Sequence, residues 1–180
     1  MLQSRNFWIS LLVVLILVIT LGLIFDWRLW ESKSAATNFR TCVLENGLIL
    51  ESYPRQCRTN TGTTFTEDIG NTLAKVDLIT IEAPRPGQTV TSPLTIVGQA
   101  RGYWFFEASF PVVLTTVAGQ VIATGYAEAL REWMTSDFVP FKAELVFEPG
   151  TEASGILVLQ KDNPSGLPEH ADEVWFPVAF

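Results

Sequence analysis

Carboxylates beside aromatic residues come nearest to catalytic chemistry in this 180-residue sequence. Paired carboxylates serve glycosidases as acid and base, and four acidic residues lie near aromatic ones: Glu107, Glu128, Glu132 and Asp137. A hydrolase with a nucleophile also needs a base and an oxyanion site, but there is no GxSxG motif and the sole histidine, His170, stands alone. Acidic residues on an outward strand face are far more often a solvated surface. We therefore expect no catalytic residues, no cofactor and no enzymatic activity.

A group of hard oxygen ligands near the C-terminus is the candidate cation site. Its members are Asp162, Asn163, Glu169, Asp172 and Glu173. Oxygen ligands of this kind could hold Ca²⁺. However, the run KDNPSG is first of all a turn, because Asp and Asn bond their own backbone, Pro fixes φ and Gly permits positive φ. Zinc is disfavoured by the absence of a CxxC pair. We expect no metal, and calcium in this loop is the alternative.

The aromatic residues are a stronger sign of function than the candidate catalytic and metal-binding residues. Tryptophan and tyrosine are favoured anchors of protein interfaces, and exposed aromatics beside carboxylates also suit a sugar-binding face. Strand alternation predicts that Trp104 and Phe106 pack in the core, whereas Trp175 points outward. The candidate binding surface consists of Glu107, Ser109, Tyr126, Glu128, Trp133 and Trp175. The alternative for Trp133 is that its loop, REWMTSDFVPF, covers an open end of the fold.

Seven short strands are predicted in the C-terminal part of the chain. They lie near Val76 to Glu82, Leu94 to Gly98, Trp104 to Thr116, Gln120 to Ala129, Phe141 to Phe147, Gly155 to Gln160 and Val174 to Phe180. Regular short strands separated by turn signals indicate an all-β sandwich.

The turn after the third strand decides which residues share a face. A two-residue turn at Ala118-Gly119 places Ser109 opposite Glu128 and Pro111 opposite Tyr126, on the outward side. A three-residue turn with a bulge would shift the pairing by one residue and turn Tyr126 inward.

Turn motifs spread over residues 76–180 carry a resemblance to a known family. The run PRPGQTVTSPLTIVGQARG, followed by WFFEASFPV, WMTSDFVPF, KDNPSGLPE and FPVAF, resembles the immunoglobulin-like domain of bacterial spore germination proteins, which is found beside the GerM domain. The resemblance implies an immunoglobulin-like β-sandwich that acts as a non-catalytic envelope module. The disulfide of true immunoglobulin domains is excluded, because no cysteine follows Cys57.

The N-terminal run FWISLLVVLILVITLGLIF, residues 7–25, contains no charge. As a helix it spans about 28 Å, close to the hydrocarbon thickness of a bilayer. It predicts one transmembrane helix, preceded by a short tail, residues 1–6, and followed by a juxtamembrane linker, residues 26–41. A cleaved signal peptide is the alternative, but its apolar core is usually only about 7–15 residues long. We therefore expect an uncleaved signal anchor.

The two cysteines of the chain, Cys42 and Cys57, bound a small segment, residues 42–66. Asn46-Gly47 is a strong two-residue hairpin signal that could bring them together, so the sequence predicts a β-hairpin closed by a disulfide. A loop of this length gains about 3 kcal/mol from the bond, and a pair of buried free thiols is the alternative. The bond would place the C-terminal domain outside the cytoplasm. Residues 67–75 are predicted to be a linker to the sandwich.

The net charge of the chain limits the classes of molecule that it can bind. All 19 carboxylates and 11 of the 12 cations lie at or after Asp26, so this part carries a net charge of −8, which disfavours nucleic acid. The sequence thus predicts a single-pass protein of the cell membrane whose extracytoplasmic domain is a binding or assembly module of a bacterial envelope. A protein partner is the first hypothesis, a glycan or cell-wall polymer the second, and a role as accessory to an envelope enzyme the third. A contiguous apolar patch would favour the first and a groove lined by aromatics and polar side chains the second.

Overall fold

The computed structural model describes residues 13–20, 36–148 and 150–180, in two compact units, Met1–Ala36 and Thr37–Phe180. In the first unit residues 13–20 are helical with exposed side chains. Within the described ranges, no helix combines the length and the apolar character needed to span a membrane. The remainder of the predicted span 7–25, the tail 1–6 and most of the linker 26–41 lie outside the described residues.

The second unit begins with a helix, α1 (Phe39–Leu44), where the sequence suggested a strand. Asn46 follows this helix with φ of 60°, in the left-handed region. The amide of Gly47 donates to the carbonyl of Cys42 and that of Asn46 to the carbonyl of Val43, at 2.9 and 3.1 Å. This is the Schellman arrangement that ends helices. The predicted hairpin turn at Asn46-Gly47 is therefore wrong, because the left-handed asparagine terminates a helix here.

Three short strands complete the cysteine-bounded segment. They are β1 (Leu48–Leu50), β2 (Gln56–Arg58) and β3 (Thr64–Thr66), in the antiparallel order β1-β2-β3. A disulfide joins Cys42 of α1 to Cys57 of the middle strand, and both cysteines are fully buried. The predicted disulfide is present, but it connects a helix to a sheet. Gly47 packs against it, since an added Cβ there would lie 2.5 Å from both sulfur atoms.

An ion pair compensates the buried carboxylate of Glu67, which follows β3. Arg55 donates through Nε to Glu67 Oε2 at 2.9 Å and through Nη2 to Oε1, and the Glu67 amide donates to the Arg55 carbonyl. The hydrogen bond to this carboxylate raises the pKa of Arg55 above its ordinary value. The pair holds together the chain segments on either side of β2 and β3.

Seven further strands form one antiparallel sheet in the order β10-β9-β6-β7-β8-β5-β4. They are β4 (Ile79–Ala83), β5 (Leu94–Arg101), β6 (Ser109–Thr116), β7 (Val121–Ala129), β8 (Phe138–Leu145), β9 (Ser154–Gln160) and β10 (Glu173–Ala179). Each predicted strand has a counterpart here, so the mostly-β, immunoglobulin-like prediction is confirmed. β7 pairs with β8 only through residues 127–129, where the sheet folds over into two halves.

The core lies between the two halves, β4-β5-β8 and β10-β9-β6-β7. The ring of Phe110 in β6 meets that of Phe141 in β8 edge-on, with 5.0 Å between centroids. Fully buried side chains from both halves surround this contact, among them Ile96, Val112, Leu114, Val139, Leu157, Leu159 and Phe176. Alternate residues of each strand supply this core, so the other residues of the same strands face away from it.

The third predicted strand is wrong at its N-terminal end, since β6 begins five residues later than expected. Residues 102–104 form a 3₁₀ turn, and Glu107 and Ala108 have φ of 49° and 64°, which turns the chain sharply. The turn breaks the predicted alternation. Trp104 is fully buried, as predicted, but Phe105 is buried beside it, and Phe106, also predicted to lie in the core, is 42% exposed.

Candidate docking face

The outward side chains of β6, β7, β9 and β10 form one continuous surface, which we call the outer face. Its members are Ser109, Pro111, Val113, Thr115, Thr124, Tyr126, Glu128, Ile156, Val158, Gln160, Glu173, Trp175 and Pro177. All are half-buried or exposed, while the residues between them in β6, β9 and β10 are buried. The outer face is thus the side of this half of the sheet that points away from the core.

The β6–β7 pairing places four of these residues as the sequence predicted. Ser109 lies opposite Glu128, and Pro111 lies opposite Tyr126. Tyr126 is 63% exposed, which confirms its outward position.

The turn between these strands nevertheless differs from the predicted two-residue turn at Ala118-Gly119. The amide of Gly119 donates to the carbonyl of Thr116 at 3.0 Å, the amide of Thr116 donates to the carbonyl of Gln120 at 2.8 Å, and Gly119 has φ of 85°. This is a three-residue loop with a glycine bulge. The register shifts again just after the turn, where Ile122 has no partner in β6. The two one-residue irregularities cancel, so Tyr126 stays outside.

Apolar neighbours cross the middle of the outer face from strand to strand. Val113 lies opposite Thr124 on one side and Val158 on the other, and Val158 lies opposite Trp175. The next row combines Thr115 with the apolar residues Ile156 and Pro177. Directly opposite residues have Cβ atoms about 4.5–5.5 Å apart, so these side chains shield one another. The result is one contiguous apolar surface.

Trp175 is held in place by Asn71, which lies in the predicted linker 67–75. The Asn71 amide donates to the carbonyl of Trp175 at 3.1 Å, and its Oδ1 accepts the amide of Trp175 at 2.8 Å. Its Nδ2 donates to the carbonyl of Glu173 at 2.9 Å. Residues 87–90 bond the remainder of the same edge of β10. The backbone under this side of the outer face is therefore fixed on both flanks.

Two of the predicted surface residues lie off the outer face. Glu107 is exposed in the turn before β6. Trp133 is half-buried and packs against the core from the β7–β8 loop, and its carbonyl lies against Gly102. Trp133 thus covers an end of the sandwich, which is the alternative that the sequence left open. The structure brings the other four together on the outer face.

The apolar centre of the outer face was missed by the sequence analysis. Val113 and Val158 have the same strand parity as the predicted surface residues, which is the signal that could have found them. The signal is hidden because β9 is apolar on both sides, in the run GILVL, and because Val113 adjoins the buried Val112 in β6.

The opposite surface of the sandwich is different in charge. Its outward side chains include Glu82, Arg101, Lys142 and Glu144, with both signs interspersed. Arg101 lies over the ring of Phe138, 4.1 Å from its centroid. The outer face, by contrast, contains no cation, and its only ionised residues are Glu128 and Glu173.

An open groove of about 550 Å³ lies at the edge of the outer face. It is lined by Asn71, Lys75, Pro111, Gln160, Lys161, Asp162, Asn163, Ala171, Asp172 and Glu173. These side chains are mostly polar, and no aromatic residue is among them. Several already bond one another, as Lys75 does with Asp172 at 2.5 Å. The groove lacks the aromatic platform on which a sugar ring would stack.

The candidate calcium loop borders this groove. In residues 13–20, 36–148 and 150–180, no three side chains of His, Cys, Asp or Glu come together as metal ligands would. Asn163 donates to the carbonyl of Leu167 and accepts from the hydroxyl of Ser165. These bonds belong to the turn that the run KDNPSG predicts.

Comparison with known families identifies most of this domain. Residues 78–166 match the model of the immunoglobulin-like domain of bacterial spore germination. The match spans β4 to β9, and β10 completes the sheet beyond it. Neither the curated proteins nor the solved structures contain a match to the chain.

Proposed function

The chain contains an immunoglobulin-like domain of the bacterial spore germination family, and from this premise we propose that it is a non-catalytic protein-binding module of the bacterial cell envelope. The family is not a known catalytic one. The outer face is the surface that we assign to the partner.

The contiguous apolar surface of the outer face is the observation that carries this proposal. Contiguous apolar patches rimmed by polar residues mark interaction sites, and Tyr126 and Trp175 are of the residue types that anchor interfaces. Four strands about 4.8 Å apart and about eight residues long give an area of roughly 500 Å². A standard interface buries about 800 Å² per partner, so the outer face can form its centre while neighbouring loops form the rim.

The groove beside the outer face favours a protein over a glycan as the partner. Sugar recognition by this chain would need exposed aromatic rings next to hydrogen-bonding side chains in a concave site. The groove has the polar side chains without the rings, and Tyr126 and Trp175 lie on the outer face instead. An apolar sheet surface suits another protein surface better than a polymer of hydrated sugars.

We extend the proposal to the location of the domain. The uncharged run 7–25 supports a single-pass anchor in the cell membrane. The bond between Cys42 and Cys57 supports an extracytoplasmic domain, because disulfides persist in oxidising compartments.

The proposal is tested by placing a cation in the middle of the outer face. Val113→Arg and Val158→Arg should each lower the capture of envelope proteins by tenfold or more, about 1.4 kcal/mol of binding free energy, because a guanidinium would be buried without a partner. Thr95→Arg, on the opposite surface, is the matched control and should leave capture unchanged.

Thermal unfolding of each variant confirms that the fold is retained. Equal capture by all three variants would contradict the assignment of the outer face. If purified cell-wall polymer binds the unmodified chain and the three variants alike, the glycan function replaces the one proposed.

A further inference from the structure

Three large apolar side chains are exposed around one turn of the cysteine-bounded segment. Leu44 ends α1 with 72% of its surface exposed, and Leu48 and Ile49 begin the edge strand β1 with 62% and 44% exposed. The bond from the Gly47 amide to the Cys42 carbonyl closes the turn between them, so they lie at one corner of the segment. We call Leu44, Leu48 and Ile49 the apolar corner. Single exposed apolar residues are ordinary on a protein surface, but these three form a cluster.

The disulfide explains why these residues are not needed in an interior. In residues 37–66 only Cys42 and Cys57 are buried, so the bond between them stabilises the segment in place of an apolar core. The apolar corner is therefore available for a contact outside the folded unit.

The net charge changes sign between this part of the chain and the sandwich. Residues 26–66 contain five cations and four carboxylates, a net charge of +1, whereas residues 67–180 contain six cations and fifteen carboxylates, a net charge of −9. The charged residues near the apolar corner, along the chain and across the sheet, are two of each sign, Arg40, Arg58, Glu45 and Glu51. An anionic lipid surface repels the sandwich, so the cysteine-bounded segment is the part of the compact unit that can lie against it.

The apolar corner also lies close to the proposed membrane anchor along the chain. Eleven residues, 26–36, separate the run 7–25 from the compact unit Thr37–Phe180, and even fully extended they reach only about 40 Å. A tether of this length gives the corner an effective concentration on the order of millimolar at the lipid surface. A weak affinity for lipid is then enough to hold it there.

Building on the membrane anchor proposed above, we infer that the apolar corner inserts into the lipid surface of the membrane that carries the anchor. Its leucine and isoleucine side chains enter the boundary between headgroups and acyl chains, while Arg40 and Arg58 remain at the level of the phosphates. The corner and the sandwich belong to one compact unit. This second attachment therefore fixes the direction in which the outer face is presented to its partner.

The test places the full chain in vesicles of phosphatidylethanolamine and phosphatidylglycerol, with bromine atoms on the upper part of the acyl chains as quenchers. An environment-sensitive fluorescent amino acid replaces Leu48 in one protein and Val121, on the sandwich, in its matched control, since these residues are 62% and 63% exposed. The fluorescence should fall by about twofold or more at position 48 and stay unchanged at position 121. Leu44→Glu should abolish the quenching at position 48. Val146→Glu, at a residue of similar exposure on the sandwich, should leave it intact.

The outcomes separate this inference from the proposed anchor, because flotation with the vesicles reports the anchor independently of the probe. A chain that floats but shows equal quenching, or none, at positions 48 and 121 would overturn the inference and leave the anchor intact. Quenching that persists in Leu44→Glu would also overturn it, once thermal unfolding has shown that the variant is folded. A probe at position 48 that is shielded from water but not quenched would show that protein covers the corner instead of lipid. A chain that does not float would overturn the anchor together with the inference.

Discussion

Replacing Asn71 with alanine should loosen the edge of the sheet that carries Trp175. The variant keeps the backbone bond from residue 71 to the Trp175 carbonyl but loses the two side-chain bonds, to the Trp175 amide at 2.8 Å and to the Glu173 carbonyl at 2.9 Å. A hydrogen bond contributes about 1 kcal/mol net, so the free energy of unfolding should fall by about 2 kcal/mol. Water replaces part of the loss, because this edge is only partly buried.

Urea unfolding of the compact unit Thr37–Phe180 measures this loss. With a slope of about 2 kcal/mol per molar urea, the midpoint should fall by about 1 M. Asn60→Ala is the matched control, because Asn60 is exposed and its side chain bonds nothing in the described part of the chain. Hydrogen exchange should speed up at the Trp175 amide in the Asn71 variant alone. Equal midpoints for the two variants, or unchanged exchange at Trp175, would refute the idea that Asn71 holds this edge.

Three further predictions concern the disulfide bond, the predicted membrane anchor and the bulge at Ile122. Protein isolated without reductant should show no free thiol, and reducing the bond between Cys42 and Cys57 should lower stability by about 3 kcal/mol, so two alkylatable thiols would contradict the bond. The full chain should stay in the membrane pellet through a carbonate wash because of the run 7–25, whereas recovery of a soluble processed chain would show cleavage. Deleting Ile122 should remove the bulge and leave the pairing intact, while deleting Thr124 should shift part of the strand by one residue and lower Tm by about 10 °C more, a difference that thermal unfolding measures.

Packing explains why the register could be predicted although the turn could not. The small residues Ala123, Gly125 and Ala127 lie opposite large residues of β6. An added Cβ at Gly125 would come within 2.7 Å of the Leu145 side chain, so a larger residue there would require Leu145 to move within the packed interior. A one-residue slip would break these pairings, whereas a loop can change its length at little cost. The interior therefore fixes the pairing, and the turn and the bulge at Ile122 adapt to it.

The wrong predictions come from local signals that serve more than one structure. Asparagine with positive φ suits a hairpin turn as well as the end of a helix, so Asn46-Gly47 alone could not choose between them. Glu107 and Ala108 adopt positive φ although neither residue type usually does, so no sequence signal marks this turn. Asn71 bonds residues more than 100 positions away, and a lone asparagine in a threonine-rich segment carries no sign of that.

The sequence predicted residues at the border of the outer face, such as Ser109 and Glu128, but missed Val113 and Val158 at its centre. The reason for this bears on function. A strand with one face in water alternates in polarity, as β8 does with Phe141 and Leu145 inside and Lys142 outside. β9 does not alternate, since Ile156 and Val158 face outward on either side of the buried Leu157. Strands that are apolar on both faces are typical of sheets covered on both sides. The same sheet thus contains β8, whose outward side chains suit contact with water, and β9, whose apolar outward side chains suit burial under a partner. β9 belongs to the outer face.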